Sequence, residues 1–451
     1  MSSHTTNAQK PTTCSRRSLL AGAGVTLAGL IAAPIEEQVA CATQNVRRRS
    51  SPSELRITDL RIAVLARAPF RCPIIRLDTN QGISGYGEVR DGASEKYALM
   101  LKPRLLRENP CNIGRLFKKI KQFGGHARQG GGVSGVEMAL WDLAGKAYGV
   151  PVYQMLGGQY RDRIRLYADT PDGRVSGLKT RVEQGFTFLK YDCGINGIRN
   201  VPGALSYPQN PNWNGEHPFT AIQLSDKGAA LMGERFAEVR EAIGWQIPVA
   251  SDHFGHISVN SCIKLGKALQ PYQLAWLEDM VPWQYPEMLK EIKQAVDVPL
   301  LTGEDIYLLE GGFKPLIDER VIDMVHPDLA TAGGILETKR IGDYAQQAGI
   351  AMALHCAGSP VTFFSNIHCA AATENFVALE HHSVDIPWWD DLVTGVDKPT
   401  NEKGFTRVPQ GPGLGIELDL DVVREHLDRG QELFAPTDEW DRDRSNDRLW
   451  S

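Results

Sequence analysis

Six acidic or basic residues recur along the second half of the chain at a nearly constant step of 24 to 27 residues: Asp252, Glu278, Glu304, Asp328, His355 and Glu380. Carboxylates and histidines are side chains that hold metal ions and transfer protons. Their even spacing therefore indicates a metal-dependent acid–base centre, provided that the fold brings the six residues together.

The first three members of the series predict a metal site. Three unpaired carboxylates in one pocket repel one another unless a cation lies between them. Oxygen ligands with positions left open for water and substrate favour Mg²⁺, with Mn²⁺ possible and Ca²⁺ less favoured. A single acid at a strand end pairs with a lysine or caps a helix just as often, but three at equal spacing do not. We therefore predict that Asp252, Glu278 and Glu304 are metal ligands.

Asp328 and His355 predict a general base. A carboxylate beside a histidine fixes the tautomer of the ring and raises its basicity, which suits proton abstraction near neutral pH. Glu380 would hydrogen-bond to charge that develops on a substrate oxygen. Upstream, Lys190 and Asp192 share one face of a predicted strand, and Asp192 is a candidate substrate contact. Lys190 would act either as a base with a lowered pKa or as a cation that binds a substrate carboxylate.

Short apolar runs precede these residues and predict buried parallel strands. A step of about 25 residues accommodates one strand, one helix and two short loops. Two further runs, at residues 164–169 and 187–192, bring the number of strands to eight. Eight such strands with intervening helices close into a (β/α)8 barrel of the α/β class, with its chemistry at the C-terminal strand ends. The clearest helices are predicted at residues 226–243, 286–296 and 335–348.

The residues before the barrel predict a separate α+β domain. β-type alternation begins at Arg56, and a turn at residues 80–82 joins two strands. Ser134 and Glu137 have the spacing of a capping box and predict that a helix begins at Ser134. Gly149 is predicted to end this helix.

We therefore expect five segments along the chain, in this order: a signal peptide at 1–42, a flexible linker at 43–55, the α+β domain at 56–163, the barrel at 164–395, and a segment at 396–451 that packs back on the α+β domain.

The first segment is typical of a twin-arginine export signal. Arg16 and Arg17 precede a short apolar run, and Ala40-Cys41-Ala42 resembles a cleavage site. We expect a periplasmic or secreted protein with no stable membrane insertion after cleavage. A membrane anchor is the alternative, although the run is short and rich in glycine for a bilayer span. A second alternative is lipidation at Cys41, which Gln38 disfavours.

Composition excludes several classes of function. The 451 residues are 42% hydrophobic and 23% charged, with a formal net charge of −5. No basic patch suggests a nucleic-acid partner. The eight cysteines show no C-x-x-C spacing, so neither a disulfide framework nor a zinc site is indicated.

Two glycine-rich segments are predicted to cover the site. The first, between Asp192 and Asp226, follows the second strand and contains Trp213, a candidate substrate contact. A loop of this length is typical of a lid or binding loop, and a surface insertion is the alternative. The second segment, at residues 123–132, contains Arg128, another candidate substrate contact.

The chain carries K-x-D, D…E…E, H-P-D, H and E in order on the predicted strands, together with WDLAGKAYGVPVYQMLGG, LATAGGI and GLGIE. From about residue 56 onward this pattern resembles the enolase superfamily, in its mandelate racemase/muconate-lactonizing branch. The resemblance implies a capping domain over a (β/α)7β barrel, with Mg²⁺ held by the three carboxylates. It also implies abstraction of the proton α to a carboxylate, through a metal-stabilised enediolate.

The resemblance further implies roles for individual residues. Asp328 and His355 would form the base dyad, and Glu380 would be the electrophilic partner. Lys190 would contact the substrate carboxylate or act as a second base. The family also implies a small-molecule carboxylate substrate and a homo-oligomer.

One departure from the family pattern bears on the reaction. Racemases of this branch carry K-x-K, whose second lysine is the opposing base, and Asp192 occupies that position here. This favours a one-base elimination, as in an acid-sugar dehydratase that forms a 2-keto-3-deoxy acid. The alternatives are a racemase, epimerase or cycloisomerase on the same platform, and a non-catalytic protein that binds sugar acids. Binding alone does not require a base dyad.

A second departure lies beside the first metal ligand. Dehydratases of the family typically have a histidine two positions after this Asp, where the chain has Phe254. His253 or His256 would then protonate the leaving group. We take His253 as a catalytic candidate and His256 as a substrate contact, and a purely structural role for His253 is an equally good alternative.

Overall fold

The computed structural model describes residues 51–170, 173–192, 194–206, 222–252 and 257–443. Four predictions fall on residues outside these ranges: the signal peptide, Trp213, His253 and His256. The backbone of Asp192 is described as the end of a strand, and its side chain is not.

The N-terminal domain is built on an antiparallel sheet with the order β1–β2–β3. Its strands are β1 Ile57–Leu65, β2 Cys72–Thr79 and β3 Ser84–Glu88. The helices that follow are α1 Lys96–Leu99, α2 Lys102–Leu105, α3 Ile113–Ile120, α4 Gly131–Tyr148 and α5 Val152–Met155.

Helix α4 packs very close to β3 because both elements carry glycine at the contact. A Cβ atom at Gly87 would lie 1.9 Å from the carbonyl oxygen of Gly135, and one at Gly135 would lie 2.6 Å from that of Glu88. No larger residue fits at either position without moving the backbone. Helix α4 is consequently buried from its first residue almost to its last.

The described residues from 163 to 380 contain ten strands: β4 Arg163–Tyr167, β5 Leu189–Asp192, β6 Leu205–Ser206, β7 Gln223–Leu224, β8 Val249–Asp252, β9 Leu277–Glu278, β10 Leu300–Thr302, β11 Met324–Val325, β12 Ala351–Leu354 and β13 Phe376–Glu380. All except β6 and β7 are parallel neighbours in the order β4–β13–β12–β11–β10–β9–β8–β5. A parallel bridge between Ala168 and Leu189 joins the two ends of this sheet. The eight strands therefore close into a barrel.

The helices between these strands are α6 Val175–Glu183, α7 Asp226–Ile243, α8 Val259–Leu269, α9 Pro286–Ala295, α10 Lys314–Asp318, α11 Leu329–Ala332, α12 Ile335–Gln347 and α13 Pro360–Ala371. With the short α11 set aside, seven helices connect eight strands. The predicted (β/α)7β barrel with an α+β capping domain is confirmed. The antiparallel pair β6–β7 lies within the long connection between β5 and α7.

The chain after the barrel returns to both domains. It contains β14 Val393–Thr394, β15 Phe405–Arg407, β16 Glu417–Leu418 and α14 Leu420–Glu425. Strand β15 pairs antiparallel with β4. The Leu414 N–H donates to the buried carboxylate of Asp142 on α4, 2.9 Å away, so this segment also packs on the capping domain.

The predicted capping box at Ser134 is wrong. Helix α4 begins at Gly131, and the side chains of Ser134 and Glu137 hydrogen-bond to the barrel instead of to their own helix. The Ser134 hydroxyl accepts from the Gly333 N–H at 3.0 Å, and Glu137 accepts from the N–H groups of Ile335 and Leu336 at 2.6 and 3.1 Å. The spacing of Ser134 and Glu137 suits a local capping box. In the structure both side chains instead accept hydrogen bonds at the start of α12, so a barrel helix is capped by residues of the other domain.

A second carboxylate of the capping domain does the same for α13. Buried Glu88, at the end of β3, accepts from the N–H groups of Ser359 and Thr362 and from the Ser359 hydroxyl. Helix N-termini carry unsatisfied N–H groups and partial positive charge, which a carboxylate compensates. The capping domain is therefore attached to the barrel through the N-termini of two barrel helices.

The end of the predicted linker is also more ordered than expected. Pro52–Glu54 forms one turn of 3-10 helix. The Asn80 amide accepts from the Arg56 N–H at 2.8 Å, and Gln81 hydrogen-bonds to both backbone groups of Ser51. Side-chain amides of the β2–β3 turn thus fix these residues. Among the described residues, no helix is long and apolar enough to cross a membrane.

Replacing Glu137 tests the attachment of the two domains. Glu137→Ala leaves the buried N–H group of Ile335 and the partly buried N–H group of Leu336 without their acceptor, so we expect the free energy of unfolding to fall by about 1–3 kcal/mol. Urea unfolding followed by circular dichroism measures the change. Glu241→Ala, on the exposed face of α7, is the control and should change stability by less than about 0.5 kcal/mol. Equal stability of both variants would contradict the assigned role.

Candidate active site

The candidate site lies at the C-terminal end of the barrel, and strand alternation builds it. One apolar cluster fills the barrel with a buried side chain from each of seven strands: Tyr167, Phe188, Ala250, Trp276, Leu301, Ala353 and Ala378. Two positions later, six of these strands place a polar residue on the same face: Asp169, Lys190, Asp252, Glu278, His355 and Glu380. The polar ring is therefore the continuation of the barrel core.

The ammonium group of Lys190 lies among carboxylates of this ring. Lys190 Nζ is 2.6 Å from Glu380 Oε1, 2.8 Å from Asp252 Oδ2 and 3.4 Å from Glu278 Oε1. Asp169 Oδ1 is 3.9 Å away. Burial lowers the pKa of Lys190, but these negative charges outweigh burial and raise it well above its ordinary value. This is opposite to the lowered pKa that a role as base requires.

Glu278 is fixed from both sides at the bottom of the site. The Trp276 Nε1–H donates to Glu278 Oε2 at 3.0 Å, and His326 Nδ1 is 3.2 Å from Oε1. On its other side, His326 Nε2 is 2.8 Å from the Tyr167 hydroxyl. These buried contacts hold the carboxylate in one orientation, as a metal ligand or charge carrier requires.

Two sets of side chains within the described residues could hold a metal ion. The ligand atoms of Glu278, Glu304 and His326 lie within 4.8 Å of one another, as do those of a second set comprising His355, Glu380 and His382. Asp252, predicted to be the third carboxylate ligand, belongs to neither set. Its Oδ2 faces Lys190 instead.

Asp328 and His355 are in direct contact, as predicted. His355 Nδ1 is 2.6 Å from Asp328 Oδ2, so Nδ1 carries the proton and the lone pair of Nε2 is available. Nε2 faces Glu304 Oε2 at 3.3 Å and Glu380 Oε2 at 3.6 Å. Burial and the charge of Arg90 lower the pKa of His355 well below its ordinary value. The ring is therefore held neutral, in the form that accepts a proton.

Arg90 reaches this pair from the capping domain. Its side chain is only 1% exposed, and Nη1 forms an ion pair with Asp328 Oδ2 and lies 2.9 Å from His355 Nδ1. Nη2 is 3.6 Å from Glu304 Oε1, and Nε is 3.2 Å from Asp91. The site is therefore completed by a residue from outside the barrel.

His382 extends the ring beyond Glu380. Its Nε2 is 3.1 Å from Glu380 Oε1, and its Nδ1 is 3.1 Å from Asp169 Oδ2. Burial lowers the pKa of His382, but the two carboxylates raise it to about 9. The ring centres of His382 and His355 are 5.8 Å apart. Two imidazole rings thus lie side by side, with the pKa of His355 lowered and that of His382 raised.

Arg128 lies at the edge of the site. Its guanidinium is 3.2 Å from Asp91 and 3.3 Å from Asp305, in the capping domain and the barrel respectively. Asp305 follows Glu304 directly. In the structure Arg128 therefore links the two domains next to a predicted ligand.

Sequence reasoning missed four residues of the site: Arg90, Asp169, His326 and His382. Three of them carried a usable signal. Asp169 ends the first predicted strand. His326 lies two residues before Asp328 and His382 two residues after Glu380, each just beyond the end of a barrel strand. Arg90 lies in the capping domain, where the spacing of barrel strands gives no information.

Comparison with protein families agrees with this geometry. Residues 176–422 match the family described as enolase C-terminal domain-like, and residues 44–157 match the mandelate racemase/muconate lactonizing enzyme N-terminal domain. The chain belongs to the enolase superfamily. The strand-end ring is thus found on the fold and in the branch that the resemblance implied.

Similar members of the superfamily cover most of the chain. D-xylonate dehydratase of Haloferax volcanii is 32% identical over 400 residues, which are 86% of this chain and 92% of that protein. D-galactonate dehydratase of Verminephrobacter eiseniae is 29% identical over 375 residues, covering 80% and 92%. The crystal structure of a mandelate racemase/muconate lactonizing enzyme-like protein from Rubrobacter xylanophilus has a TM-score of 0.75 at 31% identity, covering 85% and 100%.

The environment of His382 predicts how stability depends on pH. Because its folded-state pKa is about 9 against an ordinary 6.5, the protonated ring stabilises the fold below pH 6.5. That contribution, up to about 3 kcal/mol, is lost as the pH rises through 9. We expect His382→Asn to flatten the pH dependence of unfolding free energy between these limits, measured by urea unfolding with EDTA present. Parallel curves for the two proteins would refute the assignment.

Proposed function

We propose that this enzyme is a carbon–oxygen lyase that dehydrates a sugar acid to a 2-keto-3-deoxy acid. The observation that carries the proposal is the Asp328–His355 pair, with Nε2 of a neutral imidazole facing the carboxylate ring. The names of the similar proteins, D-xylonate dehydratase and D-galactonate dehydratase, support this reaction class. The missing second lysine, at Asp192, supports elimination over racemisation.

The donor set fits a divalent cation. Glu278 and Glu304 offer carboxylate oxygens, and Asp252, whose Oδ2 faces Lys190 in the structure, would be the third oxygen ligand. Hard cations such as Mg²⁺ prefer oxygen ligands. Glu278 and Glu304 already have ligand atoms within 4.8 Å of each other. When bound, Mg²⁺ would polarise the substrate carboxylate and so acidify the adjacent C–H bond.

The remaining steps of the reaction are assigned to side chains of the protein. His355 Nε2 takes the α-proton, while Asp328 holds Nδ1–H and compensates the imidazolium that forms. Lys190, as a buried cation, binds the substrate carboxylate. Glu380, within 3.6 Å of Nε2, lies where a substrate oxygen gains charge. Export by the twin-arginine route and a homo-oligomeric state remain part of the proposal.

Incubation in D₂O tests the reaction. The protein with Mg²⁺ should convert at least one of a panel of aldonic and aldaric acids to a 2-keto-3-deoxy acid, followed by NMR and a colour test for 2-keto acids. His355→Asn should reduce the rate at least about 100-fold, since it removes the base. Deuterium exchange or inversion without dehydration would identify a racemase or epimerase instead. Binding with neither reaction would identify a non-catalytic protein.

Calorimetric titration with Mg²⁺ tests the metal ligands separately from turnover. Glu304→Gln removes one charged ligand and should weaken Mg²⁺ binding at least about tenfold. Glu310→Gln, an exposed residue six positions later, is the matched control and should bind as the wild type does. Equal affinity in both variants would exclude Glu304 as a ligand.

A further inference from the structure

Dehydration requires an acid as well as a base. Hydroxide is a poor leaving group, so the departing oxygen must receive a proton as its bond to carbon breaks. Neither Lys190 nor Arg90 suits this task. Lys190 is already assigned to binding the substrate carboxylate, and a guanidinium does not release its protons in proteins.

His382 has the contacts of a proton donor. Both ring nitrogens face carboxylates, Nε2 at 3.1 Å from Glu380 and Nδ1 at 3.1 Å from Asp169, and both nitrogens of an imidazolium are donors. The side chain is 20% exposed, whereas that of His355 is 6% exposed. His382 therefore lies toward the open side of the site, next to the base.

The surroundings of His382 favour its protonated form. Glu380 and Asp169 are the acidic neighbours of the ring, Lys190 is a nearby basic group, and the centre of the His355 ring is 5.8 Å away. Phe70 of the capping domain approaches from the other side, with ring centres 6.2 Å apart. Each ring nitrogen therefore has a carboxylate oxygen within hydrogen-bonding distance to accept from its N–H group.

We propose that His382 is the general acid that protonates the departing hydroxyl group, an inference that rests on the proposed dehydratase function. The base and the acid would then be two neighbouring imidazoles on one side of the barrel, both in contact with Glu380. They would act on adjacent carbons of the substrate.

The step balances without a further reagent. The α-proton passes to Nε2 of His355, and the electron pair of the C–H bond is held as an enediolate, from which the α-carbon can exchange its proton. That pair then forms the double bond between the α- and β-carbons as the bond between the β-carbon and oxygen breaks, and the oxygen leaves as water with the proton from Nε2 of His382. The resulting enol gains a proton at the β-carbon and loses its hydroxyl proton to become the 2-keto-3-deoxy acid, and His355 releases the proton that it took. Asp169, whose side chain is 36% exposed, contacts Nδ1 and so connects the ring to solvent for reprotonation.

His382→Asn separates the two proton transfers. We expect the dehydration rate to fall about 100-fold or more, since a general acid contributes about 10²–10⁴-fold. Exchange of the α-proton for deuterium, measured by NMR on recovered substrate, should stay within a few-fold of wild type. His426→Asn, on a ring that stacks on Trp388 and has no contact with the ring residues among those described, is the matched control and should leave both rates unchanged.

A substrate with a better leaving group provides the decisive comparison. Chloride departs without a proton, so His382→Asn should release chloride from the 3-chloro-3-deoxy analogue at nearly the wild-type rate. His355→Asn should lose both reactions.

Three results would overturn the inference: dehydration at the wild-type rate in His382→Asn, parallel loss of chloride release, or loss of α-exchange in a variant with an unchanged circular dichroism spectrum. A wild-type protein that neither exchanges nor dehydrates any acid of the panel would overturn the proposed function itself, and this inference with it.

Discussion

The structure depends on one electrostatic constraint, which is the concentration of negative charge at a closed barrel end. Isolated carboxylates in such a place would be protonated or would destabilise the fold. Lys190 supplies the compensating charge from the second strand, within 3.4 Å of three carboxylates. A single lysine offsets only part of the charge of these three carboxylates, and the excess negative charge suits a site that is proposed to hold a cation.

A second constraint joins the two domains. Glu88 and Glu137 of the capping domain cap helices of the barrel, and Arg90 contacts the Asp328–His355 pair. All three residues are 1% exposed. Removing one partner of such a contact leaves a buried polar group unsatisfied, which is more costly than the contact itself is stabilising. The capping domain is thus a structural part of the catalytic end of the barrel as well as its cover.

The barrel and most of the polar residues at its strand ends can be predicted from the sequence, because two repeating patterns occur together. The step of 24 to 27 residues gives the strand count, and alternation along each strand gives the inward face. Glu304 does not follow this alternation, because Gly303, with φ of +143°, interrupts it after Leu301. Its inclusion came from the long-range spacing alone.

The failures of prediction have a common physical origin. Ser134 and Glu137 match a local capping motif, yet the close approach of α4 to β3 turns these side chains toward another helix. Arg90 likewise acts across a domain boundary. Contacts between residues distant in the chain leave no short-range pattern in the sequence. A single sequence therefore predicts the polar residues at the barrel strand ends better than the capping-domain residues that contact them.

The attachment through Glu88 has a consequence for substrate entry. A carboxylate that accepts hydrogen bonds from the Ser359 backbone and hydroxyl in a buried interface acts as a clamp between β3 and α13. Swinging the capping domain away would break this clamp and its counterpart at Glu137 together. Rigid-body opening is therefore disfavoured, and we expect access to the barrel mouth to be controlled by rearrangement of the loops around a fixed frame.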